Sequence, residues 1–134
     1  MKLGITGSRS ITEFDFTAFL TLRDCDFAAF CRKRFGAEVA VTEVLCGGAR
    51  GIDTLAAECA AQLGLPTVIF APDRRRNPGR LIYRALHERN QRIVDNCDLL
   101  LAVWDGVSTG TRDTCRRAEK IGRAVYLLEG PFDL

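Results

Sequence analysis

The chain has 134 residues, 47% of them hydrophobic and 27% charged, with a net charge of +2. That length suits one domain with a real core, and the composition is ordinary for a soluble protein. No apolar run approaches the roughly 20 residues that span a bilayer, and the apolar part of residues 1–7 is too short for a signal peptide, so the expected location is cytoplasmic with no membrane partner.

In chain order, residues 2–6 read as a first strand. Ser10-Ile11-Thr12-Glu13 matches a capping box, with Ser10 as N-cap and Glu13 reaching back. A helical region follows, interrupted near residues 23–26 and stopping at Phe35 before Gly36. A second strand is expected over 43–46. The next helix carries the stripe Ile52, Leu55, Ala56, Cys59 and Leu63, and ends at Gly64 with Pro66 beyond it. Residues 67–70 form a third strand, and 71–80, with two prolines, a glycine and several arginines, form a loop. A helix over 81–96 shows a packing stripe of Ile82, Leu86, Ile93 and Cys97. Strand four spans 99–104. The last helix starts near Thr111 with Cys115, Ala118 and Ile121 inward and Gly122 after it, and strand five covers 124–128. This alternation with short connections predicts an α/β fold: one Rossmann-like three-layer domain over 1–134 with a parallel sheet of about five strands.

Ligands of such sheets sit beyond the carboxyl ends of the strands, where strand order reverses. Four segments fall there: Gly7-Ser8-Arg9, the bend of residues 47–51, the arginine loop, and residues 105–111. In the apolar run Leu45-Cys46 followed by Gly47-Gly48-Ala49-Arg50-Gly51-Ile52-Asp53, the glycines permit positive φ and close approach of a bound group. The helix behind them offers free N–H groups and a positive dipole end, which suits both an anion and Asp53. Ser108-Thr109-Gly110-Thr111 repeats the pattern after strand four. One such turn alone reads more readily as an ordinary βα loop; two in one short chain shift the balance to a phosphate-bearing ligand.

Charge is uneven. Between Asp73 and Arg92 seven arginines stand against Asp73 and Glu88, a local +5 that leaves the rest of the chain about −3. This basic segment suits an anionic partner, although Arg84 and Arg92 fit a solvated helix face. Arg89 and Asn90 flank the apolar stripe of their helix and so need partners; a guanidinium there suits bidentate phosphate or carboxylate recognition. His87 at the stripe's edge reads as a structural histidine, and Glu88 points to solvent within reach of Arg84 or Arg92. The cysteines Cys25, Cys31, Cys46, Cys59, Cys97 and Cys115 form no C-x-x-C pair, and His87 is the only histidine. Free, reduced thiols are therefore expected, with no metal and no cofactor.

With these residues placed, the chain resembles the SMF/DprA–Lonely Guy (SLOG) superfamily, closest to its small cpYpsA-related members. Gly7-Ser8-Arg9 looks like the superfamily's first-strand loop. Residues 48–53 are similar to a stretch of DNA-processing protein A. Leu86-His87-Glu88-Arg89-Asn90 resembles the Met-His-x-Arg-Lys segment of Lonely Guy phosphoribohydrolases, and Gly110-Thr111 matches the end of their Pro-Gly-Gly-x-Gly-Thr-x-x-Glu motif. The resemblance implies binding of a nucleotide or nucleotide-derived ligand. It also implies a homodimer paired through sheet-flanking helices. In the hydrolases an arginine and a glutamate carry the chemistry; Arg89 matches the arginine, whereas the glutamate position falls on Thr114, with Asp113 one residue earlier. The Pro-Gly-Gly is missing and Asn90 replaces the lysine.

Three readings follow. In the first, the chain binds a nucleoside phosphate or an ADP-ribose-like ligand, as a sensor or ligand-processing protein: the two bends hold phosphate, Arg9, Arg50 and Arg89 neutralise charge, and the 72–80 loop closes over the ligand. In the second it is an N-glycosidic bond hydrolase with Arg89 and Asp113 or Glu88 as catalytic groups, Asp105 being a further carboxylate in reach; such cleavage needs a carboxylate beside the sugar. In the third it binds single-stranded nucleic acid. That reading ranks last, because the basic segment offers only Tyr83 and Trp104 as stacking platforms.

Overall fold

The computed structural model describes residues 1–23, 25–73, 75 and 82–130. Five strands, β1 (Lys2–Gly7), β2 (Glu43–Cys46), β3 (Thr67–Ile69), β4 (Leu99–Trp104) and β5 (Ala124–Glu129), form one parallel sheet in the order β3-β2-β1-β4-β5. The helices are α1 (Thr17–Thr21), α2 (Asp26–Phe35), α3 (Ile52–Gln62), α4 (Ile82–Asn96) and α5 (Thr109–Lys120). The expected α/β architecture is thus what the chain adopts. β4 explains why: Leu99 to Val103 are buried without interruption, as a strand covered on both faces must be.

Alternation along the strands divides the core in two. Leu3, Ile5, Val44, Leu99, Leu101 and Val103 pack with Phe16, Leu20, Phe27, Cys31, Ile52, Ala56 and Ala60 on the α1–α2–α3 side. Leu45 and Leu100 pack with Ile93, Val94, Cys97 and Ala118 on the α4–α5 side. Phe27 meets Tyr126 edge-on at 5.1 Å between ring centroids, which ties α2 to β5. Of the six cysteines, all unpaired, Cys31, Cys46 and Cys97 are buried and Cys25, Cys59 and Cys115 half-buried. Among the described residues no helix is long and apolar enough to cross a membrane.

Three expectations fail locally. Ser10 caps no helix: α1 begins only at Thr17, whose N–H donates to Asp15 Oδ1 at 2.9 Å. The Ser10 hydroxyl instead donates to Asp105 Oδ2 at 2.7 Å, a charge-assisted bond that outcompetes a backbone amide. The buried face of α4 is Ala85, Arg89, Asn90, Ile93 and Val94, with Ile82 and Leu86 only half-buried. The stripe is rotated because the first turns of α4 border a cavity at the carboxyl ends of the strands, which Leu86 lines. Ile121 is 44% exposed: α5 runs from Thr109 to Lys120, so Ile121 lies past its end and Ala118 alone of the three expected residues is fully buried. The expected loop over 72–80 lies largely outside the described residues.

Candidate ligand-binding site

The sheet order puts β1 between β2 and β4, so the crossovers leaving β1 and β4 part to opposite faces and open a crevice at their carboxyl ends. A cavity of about 480 Å³ occupies that crevice, within the range of about 300–1,000 Å³ usual for small-ligand sites. Thr6, Gly7, Arg9 and Ser10 come to it from β1 and its loop. Ala49 and Asp53 come from the first bend, and Ser108 to Thr111 from the second. α4 supplies the remaining wall through Tyr83, Leu86, His87, Arg89, Asn90 and Ile93.

The first bend is closed on itself. Asp53, 6% exposed, sits in the first turn of α3 and accepts the Ala49 N–H through Oδ2 at 3.1 Å. Gly51 has φ +77°, and a Cβ there would lie 2.6 Å from the Ser8 carbonyl oxygen, so the bend packs backbone to backbone against the β1 loop. Ile52 N–H donates to that same carbonyl at 3.4 Å. At Gly47 a Cβ would overlap the Arg89 guanidinium, whose Nη1 donates to the Gly47 carbonyl at 2.6 Å. These two glycines make room for the protein's own groups.

The second bend is open. Asp105 organises it: Oδ1 accepts the N–H groups of Val107 and Ser108 at 2.9 and 2.8 Å, and Oδ2 accepts the hydroxyls of Ser10 and Ser108 at 2.7 and 3.0 Å. Burial acts to raise the Asp105 pKa, but the bonds from Val107, Ser10 and Ser108 outweigh it and hold the carboxyl well below the usual range. Its own N–H donates to the buried Ser8 hydroxyl at 2.9 Å, and Trp104 Nε1 donates to the Ser108 carbonyl at 2.9 Å. Beyond this brace the N–H groups of Thr109, Gly110 and Thr111 open α5 with no side-chain cap and no partner among the described residues. A Cβ on Gly110 would meet nothing within 4 Å. Free donors at a helix start facing a cavity form an anion site.

Arg89 forms the floor. It is 8% exposed, donates through Nε to Asn90 Oδ1 at 3.0 Å and through Nη1 to Gly47, and its Nη2 makes no hydrogen bond among the described residues. Asn90 Nδ2 in turn donates to Asp113 Oδ2 at 3.0 Å, which also accepts Arg117 Nε at 2.8 Å, while Arg117 Nη1 reaches Gln91 Oε1 at 3.0 Å. Burial lowers the Arg89 pKa, opposed by the Asp53 charge; a guanidinium stays charged all the same. Burial raises the Asp53 pKa, opposed by the Ala49 amide and the charges of Arg89 and Arg9. For Asp113 burial also acts upward, but the bonds from Arg117 and Asn90 prevail and its carboxyl is held low.

Of the residues singled out from sequence, Gly7, Arg9, Ala49, Asp53, Arg89, Asn90 and Ser108 to Thr111 meet at the cavity. Ser8, Gly47, Gly51 and Asp105 stand behind it as supports. Gly48 and Arg50 are exposed and do not line it. Nor does Glu88, which pairs with Arg84 at 3.1 Å, or Asp113, whose carboxylate is turned to Asn90 and Arg117. Thr114 is fully buried and donates its hydroxyl to the Gly110 carbonyl at 3.0 Å. The sequence does not single out Thr6, Ser10, Tyr83, Leu86 or Ile93 for the site, and His87, expected as a structural histidine, is instead exposed on the cavity wall. The 3–4 spacing of Tyr83, Leu86, His87 and Asn90 is the signal that would have found the α4 wall. Among the described residues no cluster of His, Cys, Asp or Glu is placed to hold a metal.

Comparison of the chain with protein-family models, with curated proteins and with solved structures finds no match.

Proposed function

We propose that the chain binds a nucleotide or nucleotide-derived ligand, a nucleoside phosphate or an ADP-ribose-like molecule, at the carboxyl ends of its strands, as a sensor or ligand-processing protein. One observation carries this reading: the free N–H groups of Thr109, Gly110 and Thr111 share a cavity with the guanidinium of the buried Arg89. Together they offer an anion directed donors and a fixed cation in a partly dehydrated setting, where charge-assisted bonds are strongest. The half-buried Leu86, the exposed Tyr83 and His87 give the same cavity an apolar, aromatic mouth suited to a planar base. The SLOG resemblance agrees with this reading and with assignment to that superfamily.

The hydrolase alternative has less support. At the position of the hydrolases' glutamate the buried Thr114 offers no carboxylate, and Asp113 is committed to Asn90 and Arg117. The test is a thermal-shift and calorimetric series with adenosine 5′-monophosphate, adenosine 5′-diphosphate, ADP-ribose and inorganic phosphate. Binding raises the midpoint with ligand concentration by mass action. Absence of any shift or heat across the series overturns the proposal. Release of free base on incubation would restore the hydrolase reading.

A further inference from the structure

The cavity has two chemically opposite poles. One is the donor-rich N-terminus of α5, with the Arg89 guanidinium on the cavity floor beside it. The other is a carboxylate, Asp53, across the end of β1 from α5; it is the carboxylate that lines the cavity among the described residues. Asp53 is more than nine-tenths buried. A carboxylate accepts about four hydrogen bonds, and the amides of Ala49 and Gly47 face this one, so acceptor capacity remains on a carboxylate that lines the cavity. The nearby positive charges of Arg89 and Arg9 keep an acceptor there tolerable.

An inorganic anion would use the first pole and be repelled by the second. A ligand that satisfies both carries an anionic group at one end and hydroxyl donors a few atoms away. We infer that Asp53 accepts hydrogen bonds from the sugar hydroxyls of the bound ligand, making the site selective for ribose phosphates over deoxyribose phosphates. This rests on the nucleotide-binding reading and deepens it. The selectivity follows from chemistry: a buried acceptor loses its water when the ligand enters, and an analogue lacking the hydroxyl leaves that acceptor unpaired. The alternative is that Asp53 serves only to brace its bend through the Ala49 amide.

The experiment compares ribose 5-phosphate with 2-deoxyribose 5-phosphate, and adenosine 5′-monophosphate with its 2′-deoxy and 3′-deoxy analogues, by calorimetry on the unmodified protein and on Asp53→Asn. The unmodified protein is expected to prefer at least one ribo member by about tenfold or more, the worth of one charge-assisted bond. In Asp53→Asn the preference collapses, while overall affinity for phosphate rises because one negative charge has left the cavity. A purely bracing role moves ribo and deoxy affinities together and leaves their ratio unchanged, which overturns the inference. Equal binding of both classes to the unmodified protein does the same while leaving nucleotide binding standing, and that comparison needs no variant to fold. No binding by either class removes the nucleotide reading itself.

Discussion

The two strand–glycine–helix bends look alike in sequence and behave in opposite ways. In the first, Asp53 turns back from the helix to hold the Ala49 amide, the Ser8 carbonyl takes the Ile52 amide, and Gly51 is pressed onto the Ser8 backbone. In the second, the bracing carboxylate of Asp105 sits one turn earlier, takes the Val107 and Ser108 amides, and leaves the next three without a partner among the described residues. The position of one acidic residue relative to the helix start therefore changes which backbone amides it takes. Here the aspartate inside the first turn ties down the residues ahead of its helix, and the one before the N-cap braces a bend that stays open.

That contrast can be broken most directly at Arg89. Replacing it with Ala should abolish nucleotide binding, a loss of at least about a hundredfold for a buried charged partner, read by calorimetry. Unchanged affinity would separate the floor of the cavity from its ligand. Next, Gly110→Asp converts the open bend into a copy of the closed one. Because a Cβ at 110 has open space, the fold should persist by circular dichroism. The new carboxylate at the α5 start should lower phosphate affinity by about tenfold or more. Third, Gly51→Ala strains the closed bend, through its positive φ and through collision with the Ser8 carbonyl. It should cost about 2–4 kcal/mol in chemical denaturation, whereas Gly110→Ala should cost well under about 1 kcal/mol.

The smallest effect concerns acid. The Asp105 pKa in the folded state lies below its unfolded value, so its stabilising contribution is present above the unfolded pKa of about 4 and is lost as pH falls through the lower folded one. Asp105→Asn should remove about 1 kcal/mol at neutral pH, the net worth of a hydrogen bond, and should flatten the fall in stability below about pH 4. An unaltered acid limb in denaturation curves would show that the brace is dispensable.

Much of the fold could be read along the chain because its strongest signals are local. The uninterrupted apolar run of β4 and the short β2 appear over the residues expected, as do the break between α1 and α2 and the stop at Gly36. The site was legible only in part. Ser10 satisfies a local rule for helix capping, but its partner lies 95 residues away, and no short window contains both. Arg89 and Asn90 were visible as polar residues beside an apolar stripe, yet their full burial depends on Gly47 and Asp113 arriving from other elements. Asp53 fits a helix start by its place in the sequence; that it braces the first bend follows from its hydrogen bond to Ala49, which sequence does not display.

The chain of bonds from Arg89 through Asn90 and Asp113 to Arg117 also couples α4 to α5 across their seam. Any pull on the guanidinium by an incoming anion reaches both helices through one shared carboxylate. Amide protons on α4 and α5 should then slow their exchange with solvent in concert, even at turns no ligand touches.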